Sequence, residues 1–172
     1  ELAVGIGFGN SSKRLCKRFV SLAMDLFGVP MVMGEEYTAE QCNADRGPDH
    51  PFKATKGFYT VRTQGVQRRL VDWLDAIGVY VKPGRVDGKT PSYFKQVPWS
   101  VLQADEECQR AFLAGYAECD GSLYKRTYWF SQSEDLIQQL QAMLNSHGYQ
   151  PIRTQRKSGT HELSLQRIDS AD

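Results

Sequence analysis

Two stretches of this sequence follow one plan. Phe8-Gly9-Asn10-Ser11, an amphipathic run, Gly28 and Pro30 are echoed by Phe130-Ser131-Gln132-Ser133, a second amphipathic run, Gly148 and Pro151, at nearly equal spacing. Each copy reads as strand, helix, strand, strand. Two such copies predict a pseudo-twofold protein in which each half supplies half of a sheet surface and half of a site. Counting back from Phe8 by the distance that separates Asp120-Gly121 from Phe130 lands just before residue 1. The repeat therefore predicts a partner for Asp120 upstream of Glu1.

The local pattern fills in the elements. Val4, Ile6 and Phe8 alternate with glycines as a short strand, and Ser11 or Ser12 caps a helix carrying Leu15, Phe19, Leu22 and Leu26, closed by Gly28. Strands are expected at 30–37 and 58–63, with a charged, Pro- and Gly-bearing loop over 38–57 between them. A second helix spans about 65–77 and stops at Gly78. The stretch 82–98 reads as a linker whose Tyr93 and Phe94, with Trp99 just beyond, pack on something. A helix capped by Asp105 runs to Cys119, followed by a strand pair over 122–131, a helix over 133–147, and strands near 152–156 and 162–166.

Composition narrows the class without naming it. A formal net charge of +1 over 172 residues advertises no polyanion partner, so any nucleic-acid surface must arise from the arrangement of charge. Cys16, Cys42, Cys108 and Cys119 form no Cys-x-x-Cys pair and read as reduced thiols of a soluble intracellular protein, with no zinc site expected. His50, His147 and His161 show no nucleophile or ligand spacing. No apolar run approaches the roughly 18 residues of a membrane span.

Chemistry concentrates in residues 113–121, Leu-Ala-Gly-Tyr-Ala-Glu-Cys-Asp-Gly. Ala111, Gly115 and Cys119 stand four apart, so one helix face is small throughout and lets a second helix approach closely. Leu113 and Tyr116 point into the core of their own half. Asp120 falls at the helix C-terminus, where the dipole disfavours a carboxylate. A second acid arriving by symmetry makes sense there only around a divalent cation, and oxygen ligands suit Mg²⁺. The plainer reading is that Asp120-Gly121 merely ends a helix and starts a turn.

This segment resembles the signature helix of the LAGLIDADG homing endonucleases: Leu113-Ala114-Gly115 and Asp120-Gly121 match it, and Glu118 is a conservative departure. The resemblance implies an α/β (α+β) fold of two pseudo-twofold αββαββ-type halves with saddle-shaped antiparallel sheets. Residues 1–98 would be the first half, without its own signature helix, and 99–172 the second. It implies a site-specific endonuclease that cleaves double-stranded DNA with Mg²⁺, Asp120 being the metal ligand. In intein-borne members a lysine precedes the second motif within Lys-x-Ile/Val-Pro. Phe94-Lys95-Gln96-Val97-Pro98 matches, which makes Lys95 the candidate basic catalytic residue and an intein splicing domain, or a missing N-terminal segment, a candidate partner. A non-catalytic DNA-binding module and an RNA-splicing maturase remain open on the same scaffold.

The resemblance also places DNA along the sheets, where alternate residues of a strand share a face. Thr60 and Arg62 share one in the first half. In the second, Arg153, Gln155 and Lys157 share one, and Glu162, Ser164 and Gln166 another. Arg and Gln suit bidentate reading of guanine and adenine edges, while Lys125 and Arg126 suit phosphate.

Overall fold

The computed structural model describes residues 6–49, 53–65, 68–79, 91–122 and 126–165. The chain divides into two compact units, Glu1–Trp73 and Leu74–Asp172.

In the first unit β1 (Gly7–Asn10), β2 (Met31–Met33) and β3 (Tyr59–Thr63) form an antiparallel sheet in the order β1-β3-β2. Helix α1 (Lys13–Phe27) follows β1. Ser12 caps it, its Oγ accepting the Leu15 N–H at 3.3 Å, and Gly28 ends it in the left-handed region with φ 63°. Register places Phe8 and Met33 beside Val61, which is fully buried, and the Phe8 ring stacks on Phe19 of α1 at 4.7 Å. Gly7 and Val32 flank Arg62, and Gly9 pairs with Thr60, so these residues make the opposite, open face. The expected loop over 38–57 contains a helix, α2 (Ala39–Arg46). Its start is a capping box in which Thr38 and Gln41 satisfy each other's backbone N–H, and the Thr-x-x-Gln spacing was there to be read. Tyr37 and Phe58 bridge the base of this excursion, and Asn43 clamps both backbone groups of Ala54. Helix α3 (Arg68–Ala76) comes after β3.

The second unit carries a 3₁₀ turn at Pro91–Phe94, a short helix α4 (Trp99–Leu102), α5 (Glu106–Asp120), β4 (Gly121–Ser122), β5 (Thr127–Ser131), α6 (Glu134–Ser146), β6 (Ile152–Gln155) and β7 (His161–Leu165). The sheet is antiparallel in the order β4-β5-β7-β6. One face packs on the helices. Trp129 and Leu163 meet Leu113 and Ala117 of α5 and Leu136, Ile137, Leu140, Met143 and Leu144 of α6. The expected linker does pack: Val97 belongs to this core, and the half-exposed Trp99 indole donates to the Ala76 carbonyl at 2.9 Å, while the rings of Tyr93 and Phe94 are more than a third exposed. Both units are the mixed helix and antiparallel-sheet architecture that the repeat calls for.

Candidate active site and open sheet faces

Helix α5 delivers Asp120 to the edge of a sheet, and its neighbours fix where it stops. Asp105 caps the start, its carboxylate accepting the Cys108 N–H at 2.9 Å. That bond holds the Asp105 carboxyl below its ordinary range. Two side-chain bonds then tie α5 to β5: the Trp129 indole donates to the Leu113 carbonyl at 2.9 Å, and the Tyr116 hydroxyl to the Phe130 carbonyl at 3.0 Å. Burial, with the charge of Asp120 added, pushes Tyr116 up to about 12. The helix passes directly into β4 at Gly121. A methyl group at Gly121 would overlap the Tyr128 carbonyl oxygen and lie 2.8 Å from both Cα and the carbonyl oxygen of Ala117. Only glycine lets the chain turn from helix to strand in so little room, so Asp120 is the last helical residue for a steric reason.

Lys95 reaches the same place from the other side. Its Nζ lies 3.8 Å from Asp120 Oδ2, with both side chains about half exposed. Its backbone is held from α6: the Ser133 hydroxyl donates to the Lys95 carbonyl at 2.5 Å while Gln139 Oε1 accepts the Val97 N–H at 2.7 Å. Ser133 is fully buried and also caps α6 by accepting the Leu136 N–H. A half-exposed ion pair contributes at most about 1 kcal/mol, so this pair is not what keeps the fold together. Beside it opens a cavity of about 350 Å³ lined by Lys95, Gln96, Pro98, Phe112, Tyr116 and Leu136 among others.

Among the described residues no three His, Cys, Asp or Glu side chains converge as a ready cage. A single exposed carboxylate at a helix end fits a hard ion such as Mg²⁺, which takes one or two carboxylates and completes its shell with phosphate oxygens and water.

The small face of α5 is open. Ala111, Gly115 and Cys119 are exposed, and a Cβ built at Gly115 meets nothing within 4 Å. Leu113 is buried and Tyr116 packs on the core, as expected.

The open faces of the sheets follow from register, since residues directly paired in an antiparallel ladder share a face. Thr60 and Arg62 lie together on the open face of the first sheet, Arg62 exposed between Gly7 and Val32. In β6 the expected phase is corrected. Arg153 pairs with buried Leu163 and takes the helix side, where its Nη2 donates to Glu134 Oε1 of α6 at 2.6 Å; Gln155, paired with buried His161, shares that phase but is exposed at the end of the strand. That contact holds Glu134 below the ordinary carboxylate range. Lys157 is an exposed turn residue between β6 and β7, where strand alternation sets no face. The open side instead carries Tyr128, Phe130, Glu162, Ser164, Ile152 and Thr154. Arg156, one residue beyond β6, reaches the same side, its guanidinium 4.6 Å above the Phe130 ring. Arg126 is exposed just ahead of β5. Lys125 and Gln166 lie outside the described residues. Arg156 and the aromatic pair went unread because polar residues occupy both phases of Ile152–Lys157; the inward Trp129 was the available signal.

Residues 107–172 match the family model of the LAGLIDADG-like domain. No curated protein sequence matches the chain significantly. Among solved structures, one of mesophilic variants of the homing endonuclease I-DmoI is similar at 13% identity and a TM-score of 0.62, covering 97% of this chain and 75% of that one. An I-DmoI variant in complex with its target DNA in the presence of Mg matches at 12% identity and 0.62, covering 97% and 76%. I-DmoI in complex with DNA and Mn matches at 13% and 0.59, with the same coverage. Among the described residues no helix is long and apolar enough to cross a membrane.

Proposed function

We propose that this chain, a LAGLIDADG-family protein with the homing-endonuclease fold, is the nuclease part of an intracellular, site-specific, metal-dependent DNA endonuclease, of the intein-borne kind. Its pseudo-twofold halves would be 1–98 and 99–172. The observation that carries this reading is the approach of Lys95 Nζ to Asp120 Oδ2 at the C-terminal end of α5. A carboxylate set against the helix dipole is unfavourable by itself. Lys95 offsets it in the free protein, and a cation at a scissile phosphate would offset it in the complex.

Asp120 would hold Mg²⁺ together with phosphate oxygens and the acid of a second signature helix. A divalent ion bound there supplies charge stabilisation at phosphorus and an activated water. Lys95, whose Nζ lies 3.8 Å from Asp120 Oδ2, would stand close enough to such a site to stabilise negative charge developing on a phosphate. Ser133 and Gln139 keep its backbone in place. Duplex DNA would lie along the open sheet faces, with Thr60, Arg62, Arg126, Arg156 and, beyond the described residues, Lys125 and Gln166 in reach. The similar I-DmoI structures with DNA and Mg or Mn support both partners.

The test is cleavage of a plasmid library with random inserts by the full-length protein in Mg²⁺. Asp120→Asn should abolish cutting and leave duplex binding within a few-fold, because the amide keeps the shape and loses the charge. Lys95→Ala should slow cutting without abolishing it. Binding to duplex should weaken steeply with salt. Equal cutting by wild type and Asp120→Asn removes the acid from the chemistry. Salt-dependent binding with no cutting by either protein points to a non-catalytic DNA-binding module.

A further inference from the structure

On the open face of the second sheet, register lines up Phe130, Glu162 and Thr154 across three adjacent strands. Arg156 folds back over this row. Its Nε and Nη2 both contact Glu162 Oε2, at 2.8 and 2.7 Å, and its guanidinium covers the Phe130 ring, which itself stacks on Tyr128 with centroids 5.9 Å apart. Arg156 remains about half exposed while Glu162 is mostly covered. A carboxylate is out of place on a surface meant only to hold a polyanion. Neutral Gln or Ser would serve phosphate better, so the charge needs another reason.

We propose that Arg156 and Glu162 act as one base-reading unit that specifies a single G·C pair through the major groove. This rests on the endonuclease reading, which puts duplex DNA on this face. The chemistry is a match of neighbours. A G·C pair shows the O6 and N7 acceptors of guanine beside the N4 amino donor of cytosine. A guanidinium beside a carboxylate shows donors beside an acceptor. Both contacts from Arg156 fall on Oε2, and the base pair would be read by Oε1 and Nη1. An A·T pair puts donor and acceptors in a different order and adds a methyl group, and an inverted C·G pair reverses the sequence of groups. Phe130 holds the guanidinium plane, which lowers the rotamer entropy lost on reading. Glu162 does a second thing: it repels phosphate, so Arg156 gains nothing from a register in which it meets the backbone. That is specificity obtained by penalising the wrong contact.

The experiment is selection of duplexes by the full-length chain from a pool with a randomised core, followed by sequencing, for wild type, Arg156→Ala and Glu162→Gln. Arg156 is about half exposed, and Glu162→Gln keeps the shape of a mostly covered side chain, so thermal melting should show that each variant folds. Wild type should enrich one G·C pair, and both variants should relax that same position by about ten-fold or more while leaving the others as they were. Glu162→Gln should also bind unselected duplex more tightly, since one repulsive charge is gone. Preferences unchanged at every position in both variants, or a uniform loss of affinity with no position singled out, would overturn the proposal alone. A wild-type chain that selects no duplex at all would overturn the endonuclease reading, and this proposal with it.

Discussion

Two glycines, Gly115 within α5 and Gly121 just past its end, should respond to the same substitution with opposite signs. At Gly121 an added methyl group overlaps the Tyr128 carbonyl oxygen and sits 2.8 Å from the backbone of Ala117. All the obstructing atoms are backbone, of β5 on one side and of α5 on the other, so no side chain can rotate away. Overpacking costs typically about 1–3 kcal/mol, and a clash bounded by two secondary-structure elements belongs at the upper end. For a chain of this size each kcal/mol moves the melting point by about 2–4 °C, so Gly121→Ala should melt roughly 6–12 °C lower. At Gly115 the same methyl group meets nothing within 4 Å. There Ala removes the backbone entropy of a mid-helix glycine, about 1 kcal/mol, and should raise the melting point by roughly 2–4 °C. Circular dichroism melts of the two variants beside wild type read both effects. If Gly121→Ala melts with wild type, the helix-to-strand passage is not sterically closed and the placement of Asp120 needs another cause. Gly115→Leu extends the comparison: with nothing within 4 Å of the added Cβ, it should leave the melting point close to that of wild type, and on the proposed endonuclease reading it should impair cleavage by blocking close approach to this face of α5.

Two further outcomes follow from the site. Tyr116 should stay protonated to about pH 12 in the folded protein. Its stabilising contribution is therefore complete below its ordinary value of 10.0 and lost as pH rises through 12, and tyrosinate absorbance in Asp120→Asn should show Tyr116 titrating earlier than in wild type. Ser133→Ala removes both the cap of α6 and the donor to the Lys95 carbonyl, and should lower stability by about 2 kcal/mol in urea denaturation. An effect under about 0.5 kcal/mol would show that neither bond matters.

Much of the fold was legible because its signals are local. Ser12, Asp105 and Ser133 cap helices through their own side chains, and Gly28 closes one through its own φ. These depend on a few neighbouring residues, and they fell where the sequence places them. The capping box at Thr38 and Gln41 was equally local and was passed over only because the charged composition around it resembles a loop. Asp120 and Lys95 were legible as residue types in a motif.

What the amino-acid sequence determined by itself, then, was most of the helices and strands, though not α2, and the acid that ends α5. Tertiary structure decided the rest. Only the fold brings Lys95 within 3.8 Å of Asp120, because that distance depends on Ser133 and Gln139 of α6 gripping a segment far away in the chain. Only the fold shows why residue 121 is glycine, since the obstructing carbonyl belongs to β5. The open face of β6 is the clearest case. Arg153 and Arg156 are equally plausible readers in one dimension, but a strand has a period of two, and a shift of one residue exchanges its faces. The pairing of Arg153 with Leu163 settles the phase. It turns Arg153 toward Glu134 and leaves Arg156, over Phe130 and against Glu162, on the side open to solvent.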